Sequence, residues 1–308
     1  MKVSTLNLDE YNNWVSHFRV KQNIFATRDW IRVFGDRILL VACSHFEIEC
    51  VFVLYKGGKY GIHSIITPPA APCIGFAERE DNTDRKKYIV ALLDFLPTLN
   101  PAWIKLDLPV DLGVDCSSVF TFQQIEKYTY RLRLTPQEDS IASLFSSKIR
   151  NGINKALRDE STAQVVAFSS ALSERVAAHF ERKGIRSGLP FVHSLIRGLM
   201  DKNKAFAIEV TQSGNLLWTG VFILDRDVCY YLFGALNPEI SSRTANTFGL
   251  WSAMKESARR EVLIFDFEGS MIPSVEEFVK GFGGQKTTYA CLTKSSLLWK
   301  LASRFIIK

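Results

Sequence analysis

The sequence lacks the cysteine and histidine patterns of a metal site or a disulfide framework. Its six cysteines are scattered without a CxxC pair or a Cys/His cluster, and its five histidines show no spacing suited to a metal or a catalytic triad. Such scatter argues against both zinc binding and disulfide-dependent folding. We therefore expect reduced, mostly buried cysteines and no bound metal.

Long apolar runs are missing as well. No window approaches the ~18 consecutive apolar residues of a membrane-spanning helix. The first residues, MKVSTLNLDEYNNW, do not show the basic-then-apolar order of a signal peptide. From these absences we expect a cytoplasmic protein.

Acidic residues are absent after Glu277. The chain has 38 Lys and Arg against 32 Asp and Glu, a formal charge of +6. The whole excess lies at the end, in Lys280, Lys286, Lys294, Lys300, Arg304 and Lys308. It indicates either an anionic partner, such as a nucleotide phosphate, nucleic acid or a membrane surface, or a solvated basic face. A helix predicted over 295–306 is accordingly either packed or a membrane-surface helix, and we expect no DNA partner.

The rest of the composition is that of a folded chain, with 47% apolar and 23% charged residues. A length of 308 residues suggests two domains, and Thr135-Pro136 marks a boundary. The first part reads as mixed α/β. It has three apolar runs, a hairpin turn predicted at Lys56–Lys59 (KGGK) and a helix predicted over 83–97.

The second part has a more definite order of elements. Helices are predicted over 136–160 and 170–183 and from Pro190 onward, followed by three antiparallel strands within 204–236 that are joined by hairpin-length loops. A helix over 241–260 then leads to a strand, VLIFDFEG, at 262–269. This strand should lie parallel to the preceding one through a right-handed crossover. A helix over 272–282 and a further strand follow.

Two carboxylates interrupt the apolar strand VLIFDFEG. On a strand, Asp266 and Glu268 would share one face, and Phe265 and Phe267 the other. A carboxylate pair at a strand end can accept an amine proton, directly or through water, or bind a cationic substrate. The alternative is structural, with one acid bonded to backbone or to a basic side chain.

Polar residues precede the apolar part, residues 248–260, of the helix predicted over 241–260. Ser241, Ser242, Thr244 and Asn246 are candidates for capping it, and Arg243 lies among them. Free backbone N–H groups at a helix start, with an arginine, would cradle a pyrophosphate. Ordinary capping is the alternative.

Lys280 stands in the segment VKGFGG. It could neutralise a developing oxyanion or a phosphate, or it could be a lysine at a helix C-terminus before glycine. The sequence leaves both interpretations open.

Three segments resemble a known family. SSRTANTFGLWSAMKESARR, followed by FDFEGSMIPSVEEFVKGFGG, resembles the signature of FemAB-type proteins of the GNAT superfamily, and SKIRNGINKA resembles the basic helix that opens their second unit. The resemblance implies an α/β fold of two GNAT-like units, each a mixed, mostly antiparallel sheet flanked by helices. Residues 1–134 would form a degenerate unit and 135–308 the acyltransferase unit.

The resemblance also implies an activity. Such proteins include N-acyltransferases whose donor pantetheine lies between two splayed parallel strands. We therefore expect acyl transfer from acyl-CoA, a co-substrate and not a permanent cofactor, to an amine acceptor. Asp266 or Glu268 would aid amine deprotonation, Lys280 would support charge, and the serines and Arg243 before the helix would hold donor phosphate.

Two alternatives remain beside this hypothesis. One is transfer of an amino acid from aminoacyl-tRNA to a peptidoglycan precursor, as FemAB-type members do. The other is a non-catalytic GNAT-like binding protein. The sequence lacks both the glycine-rich Q/RxxGxG/A loop of acetyl-CoA-binding members and a charged heptad run for a helical arm.

Overall fold

The computed structural model describes most of the chain. The described residues are 1–59, 62–81, 85–112, 121–182, 190–240, 242–268, 273–296 and 299. They form two compact units. The first comprises Met1–Lys127 with the described part of Thr288–Lys308, and the second comprises Tyr128–Thr287. The division therefore falls at Lys127/Tyr128, before the predicted boundary at residue 135, and the chain returns to the first unit at Thr288.

The first unit is a mixed sheet with helices. Its helices are α1 (Leu8–His17), α2 (Arg28–Phe34) and α3 (Arg85–Phe95), and its strands are β1 (Lys2–Leu6), β2 (Val20–Gln22), β3 (Ile38–Ser44), β4 (Ile48–Lys59), β5 (Ile62–Ile66), β6 (Gly75–Arg79) and β7 (Trp103–Asp107). The strand β8 (Gln123–Arg133) begins in this unit and ends in the second. The strand β14 (Gln285–Ser295) begins in the second unit and ends in the first. The order is β1-β3-β4-β5-β7-β14, with β6 on β4 and β2 on β6. Of the pairs described in this unit, β5–β7 is parallel and the others are antiparallel.

The predicted turn at Lys56–Lys59 is wrong. These residues are strand, since Gly57 pairs with Ser64 and Gly58 with His63. A Cβ on Gly57 would lie 2.5 Å from Ser64 Oγ, and Gly58 has φ +153°. The two glycines therefore allow β4 and β5 to approach closely. In the sequence, a glycine pair with this role looks the same as a turn.

The second unit carries one sheet with helices packed against it. Its helices are α4 (Glu138–Ser143), α5 (Ser147–Arg158), α6 (Ser170–Arg182), α7 (Pro190–Met200), α8 (Ala245–Arg259) and α9 (Pro273–Lys280), and its further strands are β9 (Thr162–Val166), β10 (Ala205–Gln212), β11 (Asn215–Asp225), β12 (Val228–Leu236) and β13 (Ile264–Asp266). The order is β8-β13-β12-β11-β10-β9. The predicted meander is confirmed as β10–β11–β12, and the crossover through α8 makes β13 parallel to β12.

The helix predicted over 136–160 is two helices. Ser146 caps α5, with its Oγ accepting from the Ile149 N–H at 3.4 Å. Phe145, in the break, is 2% exposed and packs edge-on against Phe282 at 5.3 Å between ring centroids. Periodic apolar spacing continued through the break because the connecting phenylalanine is itself a core residue.

A tryptophan fixes how α8 packs on the sheet. The Trp218 ring lies over Gly220 of β11 and Gly249 of α8, so that a Cβ would come within 2.1 Å of it at Gly220 and 2.2 Å at Gly249. Phe222, on the same strand, packs on Tyr231 of β12 at 5.5 Å between centroids. This face of β11 and β12, closed by α8, borders the site described next.

Candidate active site

The site lies where β12 and β13 stop pairing. The two strands are in register at Val228↔Ile264, Cys229↔Phe265 and Tyr230↔Asp266, and β13 then ends. β12 continues to Leu236, paired with β11 on one edge only among the described residues. We call the place where this pairing ends the splay: it lies between the 231–236 segment of β12 and residues Phe267 and Glu268.

Asp266 is held at the base of the splay by three donors. Its side chain is 4% exposed and accepts from Thr129 Oγ1 at 2.5 Å and from Arg131 Nε at 2.8 Å, both on β8. The backbone N–H of Glu268 donates to Asp266 Oδ1 at 2.9 Å. These bonds favour the structural alternative for Asp266, as the carboxylate that ties β8 to β13 and orients the next residues.

Glu268 has the opposite surroundings. Its Oε1 is buried and has no hydrogen-bond partner among the described residues. Burial raises the pKa of this carboxyl well above its usual value, and the charge of Asp266 raises it further. The raised pKa makes the ionised Glu268 a stronger base than an exposed glutamate. It is therefore better suited to accept a proton at neutral pH.

The expected sharing of one strand face by the two acids is wrong. β13 ends at Asp266, and Glu268 has a left-handed backbone with φ +50°. Phe265 and Phe267 are both buried, with ring centroids 5.0 Å apart. The position of Glu268 is therefore set by its left-handed backbone and by the hydrogen bond from its N–H to Asp266, not by strand alternation. Such local backbone strain is common at functional sites.

Tyr231, which the sequence analysis missed, belongs to the same site. Its pKa is raised by burial, with a smaller rise from the charge of Glu268, while a hydrogen bond with Trp218 acts in the other direction. Its hydroxyl lies over Gly234, where a Cβ would come within 1.7 Å. Gly234 in YYLFGAL was the available signal, since a strand glycine marks close approach.

Lys280 lies in a separate network on α9. It is 55% exposed and pairs with Glu276 at 2.9 Å, one helical turn away. Glu276 also accepts from the hydroxyls of Tyr128 and Tyr130, each at 2.8 Å, and these bonds, led by the one from Lys280, lower its pKa to about 2. The contacts favour the helix-end alternative for Lys280.

The polar residues around the start of α8 differ in their hydrogen bonds and exposure. Ser242 Oγ accepts from the Ala245 N–H at 3.1 Å, whereas Thr244 makes no side-chain cap bond. Arg243 is exposed. Asn246 Oδ1 is buried without a partner among the described residues. Ser241 lies outside the described residues.

The described residues include no group of three or more His, Cys, Asp or Glu side chains arranged as around a metal ion. Within the same residues, no helix has the length and apolarity needed to cross a membrane.

Part of the second unit matches a known family model. Residues 144–276 match the family model described as an acetyltransferase (GNAT) domain. Among curated proteins, none matches the sequence.

Several solved structures share the fold over nearly the whole chain. The crystal structure of FemX has 14% identity and a TM-score of 0.65, covering 94% of this chain and 97% of that one. The C-terminal domain of a putative lysylphosphatidylglycerol synthetase from Agrobacterium fabrum has 9% identity and a TM-score of 0.59, covering 90% and 89%. A tandem GNAT protein from the clavulanic acid biosynthesis pathway has 9% identity and a TM-score of 0.54, covering 95% and 98%.

The chain has the GNAT-superfamily, FemAB-like fold that its sequence resemblance implied, so that expectation is confirmed. The predicted fold class, a mixed and mostly antiparallel sheet flanked by helices, is confirmed as well. The GNAT domain match further supports a transferase of acyl groups.

Proposed function

We propose that the protein transfers an acyl group from acyl-CoA to an amine acceptor, with Glu268 as the base. The observation that carries the proposal is the buried, unpartnered Oε1 of Glu268, whose pKa is raised, beside the point where β12 and β13 separate. Asp266 is then a positioning residue, because it holds the backbone N–H of Glu268.

The chemistry follows from these positions. The amine nitrogen attacks the thioester carbonyl and forms a C–N bond, and the C–S bond breaks. The ammonium proton passes to the Glu268 carboxylate, directly or through one water, and the CoA thiolate leaves and takes a proton. The Tyr231 hydroxyl, close enough for the charge of Glu268 to act on it, can donate that second proton, and the phenolate then recovers a proton from the protonated Glu268.

The end of the β12–β13 pairing supports donor binding in the splay. This pairing stops at Tyr230, so the backbone of β12 beyond it can pair with the amides of an extended pantetheine. The start of α8 would receive the donor phosphates through Ser242, Arg243 and the backbone N–H groups. Asn246 Oδ1 offers an unused acceptor there, and Ser241 stays a predicted contact.

The test is release of free CoA thiol when the protein is mixed with a panel of acyl-CoAs and primary amines. Glu268→Gln should lower the rate by about 10²–10⁴-fold, the usual contribution of general base catalysis. Glu277→Gln is a matched control, because its carboxylate on α9 is 78% exposed. Equal rates for the wild type and Glu268→Gln would contradict the proposal.

Transfer from aminoacyl-tRNA is the second candidate. The likeness to FemX over 94% of this chain favours it, given what the FemAB resemblance implies. In that case amino acid transfer would be abolished by RNase, and tRNA binding would weaken steeply with salt. Acyl-CoA-dependent activity that is insensitive to RNase would exclude it.

A further inference from the structure

A pocket in the first unit lies at one end of its sheet, where three strands stop. β5 begins at Ile62, β7 begins at Trp103 and β14 ends at Ser295. The ladder aligns these ends, because Trp103 pairs with both Ser64 of β5 and Ser295 of β14. The pocket has a volume of about 600 Å³, within the roughly 300–1,000 Å³ typical of small-molecule sites. We call it the strand-end pocket.

Both faces of the sheet contribute to the strand-end pocket. In the ladder, Lys294 is opposite Ile104 and Ser295 is opposite Trp103, so the side chains of Lys294 and Ser295 leave the sheet on opposite faces. Lys294, Ile104 and Ser295 all line the pocket nevertheless. Residues outside the strands line it too, namely Pro97, Asn100, Pro101 and Ala102 before β7 and Ser296 and Trp299 after β14. A ligand beyond the strand ends can therefore contact groups from either face.

Trp299 gives the pocket an aromatic wall. Its ring stacks on that of Trp103, with centroids 5.3 Å apart and an interplanar angle of 7°. Trp299 lines the pocket whereas Trp103 does not, so the pocket meets the uncovered face or the edge of the Trp299 ring. Aromatic rings pack favourably on both, by offset stacking or edge-to-face. An aromatic ligand ring would extend this stack, and Pro97 and Pro101 offer it further apolar contact.

Lys294 gives the pocket its charge. Among the described residues that line the pocket, it is the only Lys or Arg, and none is Asp or Glu. Its Nζ lies 5.3 Å from the centroid of the Phe122 ring, and within the part of the chain that the structure describes it forms no ion pair. The ammonium of a half-buried lysine without a carboxylate partner keeps its N–H donors for an oxyanion. The lining therefore favours an anionic ligand.

We propose that the strand-end pocket binds an organic anion made of a flat aromatic ring and a carboxylate or phosphate, with the oxyanion at Lys294 and the ring against Trp299. All the described residues of the pocket belong to the first unit, so the proposal does not depend on the role of Glu268 in the second. A carboxylate and a phosphate accept the same bonds from an ammonium, and the test distinguishes between them.

The test measures binding by ligand-observed NMR for four probes of similar size: 2-naphthoate, 2-naphthyl phosphate, 2-naphthalenemethanol and decahydro-2-naphthoate. The wild type should bind at least one aromatic anion about tenfold more tightly than the alcohol, the effect of a charge-assisted hydrogen bond. It should bind 2-naphthoate about threefold more tightly than the saturated acid, the effect of one aromatic pair. The tighter of the two aromatic anions identifies the oxyanion. Equal binding of 2-naphthoate, the alcohol and the saturated acid would overturn the proposal.

Two variants separate the charge from the ring. Lys294→Gln should remove the preference for anions over the alcohol and keep the preference for 2-naphthoate over the saturated acid. Lys286→Gln is its matched control, because Lys286 is an exposed residue of the same strand that does not line the pocket. Trp299→Leu should have the reverse effect and keep only the preference for anions. A preference that survives its own variant would overturn the assignment of that residue.

A third variant tests whether the ligand occupies the pocket. The backbone of Ala102 is fixed, since its N–H donates to His63 O at 2.8 Å and its O accepts from the Ser296 N–H at 2.9 Å. Its side chain lines the pocket, so Ala102→Phe should fill the pocket and weaken all four probes about tenfold. Ala171→Phe, at an exposed position on α6, is the control and should bind as the wild type does. Wild-type binding by Ala102→Phe would overturn the location of the site, and circular dichroism checks that this variant is folded.

Discussion

Asp266 and Glu268 stand two residues apart and have opposite chemical surroundings. Asp266 has three donors and little exposure, so its contacts are those of a structural group. Glu268 has a buried oxygen without a described partner and a raised pKa. One carboxylate therefore orients the chain while the other is free for chemistry.

Replacing Glu268 should stabilise the protein at neutral pH. A carboxyl whose folded pKa is raised contributes stability below its unfolded pKa, and that stability is lost as pH rises through the folded value. Glu268→Gln removes this loss, so its melting temperature should exceed that of the wild type at neutral and alkaline pH and match it in acid. A lower melting temperature than the wild type at neutral pH would contradict the described burial.

Replacing Asp266 should have the opposite effect on stability. Asp266→Asn removes the carboxylate that pairs with Arg131 Nε at 2.8 Å, and only 11% of the Arg131 side chain is exposed. Breaking one side of such a pair costs about 3–5 kcal/mol, measurable by urea denaturation. The same change removes a charge that raises the pKa of Glu268, so the acidic limb of the pH–rate profile should move to lower pH. An unmoved limb would show that Asp266 does not act on the base.

At the residue scale, the sequence singles out Asp266 and Glu268 but does not show their different surroundings. Charge in an apolar strand drew attention to 266 and 268. The partners Thr129 and Arg131 lie more than a hundred residues earlier, and the left-handed backbone at Glu268 has no sequence signature. Tertiary contacts therefore decide which of the two acids has hydrogen-bond donors around it.

At the scale of elements, glycine positions decide how α8 meets the sheet. Gly→Ala within a helix normally stabilises by about 1 kcal/mol. Gly249→Ala should instead destabilise by about 1–3 kcal/mol, because its Cβ would lie 2.2 Å from the Trp218 ring. Gly198→Ala on α7 is the matched control, since nothing lies within 4 Å of its Cβ, and it should stabilise. Chemical denaturation of both variants checks the packing; a stabilised Gly249→Ala would contradict it.

Elements with strong periodicity were the predictable ones. The β10–β11–β12 meander, α3 and the parallel placement of β13 were all readable from apolar spacing and loop length. The KGGK segment was not predictable, because glycines within a strand ladder give the same sequence signal as a turn. The break at Phe145 was not predictable either, because a buried phenylalanine in the connection continues the apolar spacing of a helix.

At the scale of the molecule, the division into units predicts which fragment folds. A fragment of residues 135–308 would lack Thr129 and Arg131, the partners of Asp266, and the buried residues Tyr130, Leu132 and Leu134. Residues 128–287 retain all of them. We expect cooperative thermal unfolding, followed by circular dichroism, for the second fragment only. Cooperative unfolding of 135–308 would favour the boundary read from the sequence.

The fold was predictable from the resemblance, whereas the domain division was not. The signature segments lie within 147–284, so they report on one unit and say little about where the chain enters it or leaves it. The entry through β8 and the return at Thr288 depend on strand pairing between distant segments.

The role of Glu268 as the base is tested most directly by the pH dependence of acyl transfer in the wild type and Glu268→Gln, followed by CoA thiol release. We expect a wild-type rate that is low in acid and rises as Glu268 loses its proton, and a variant rate that is low throughout and lacks that rise. A variant with the wild-type rate and the same pH profile would contradict this role.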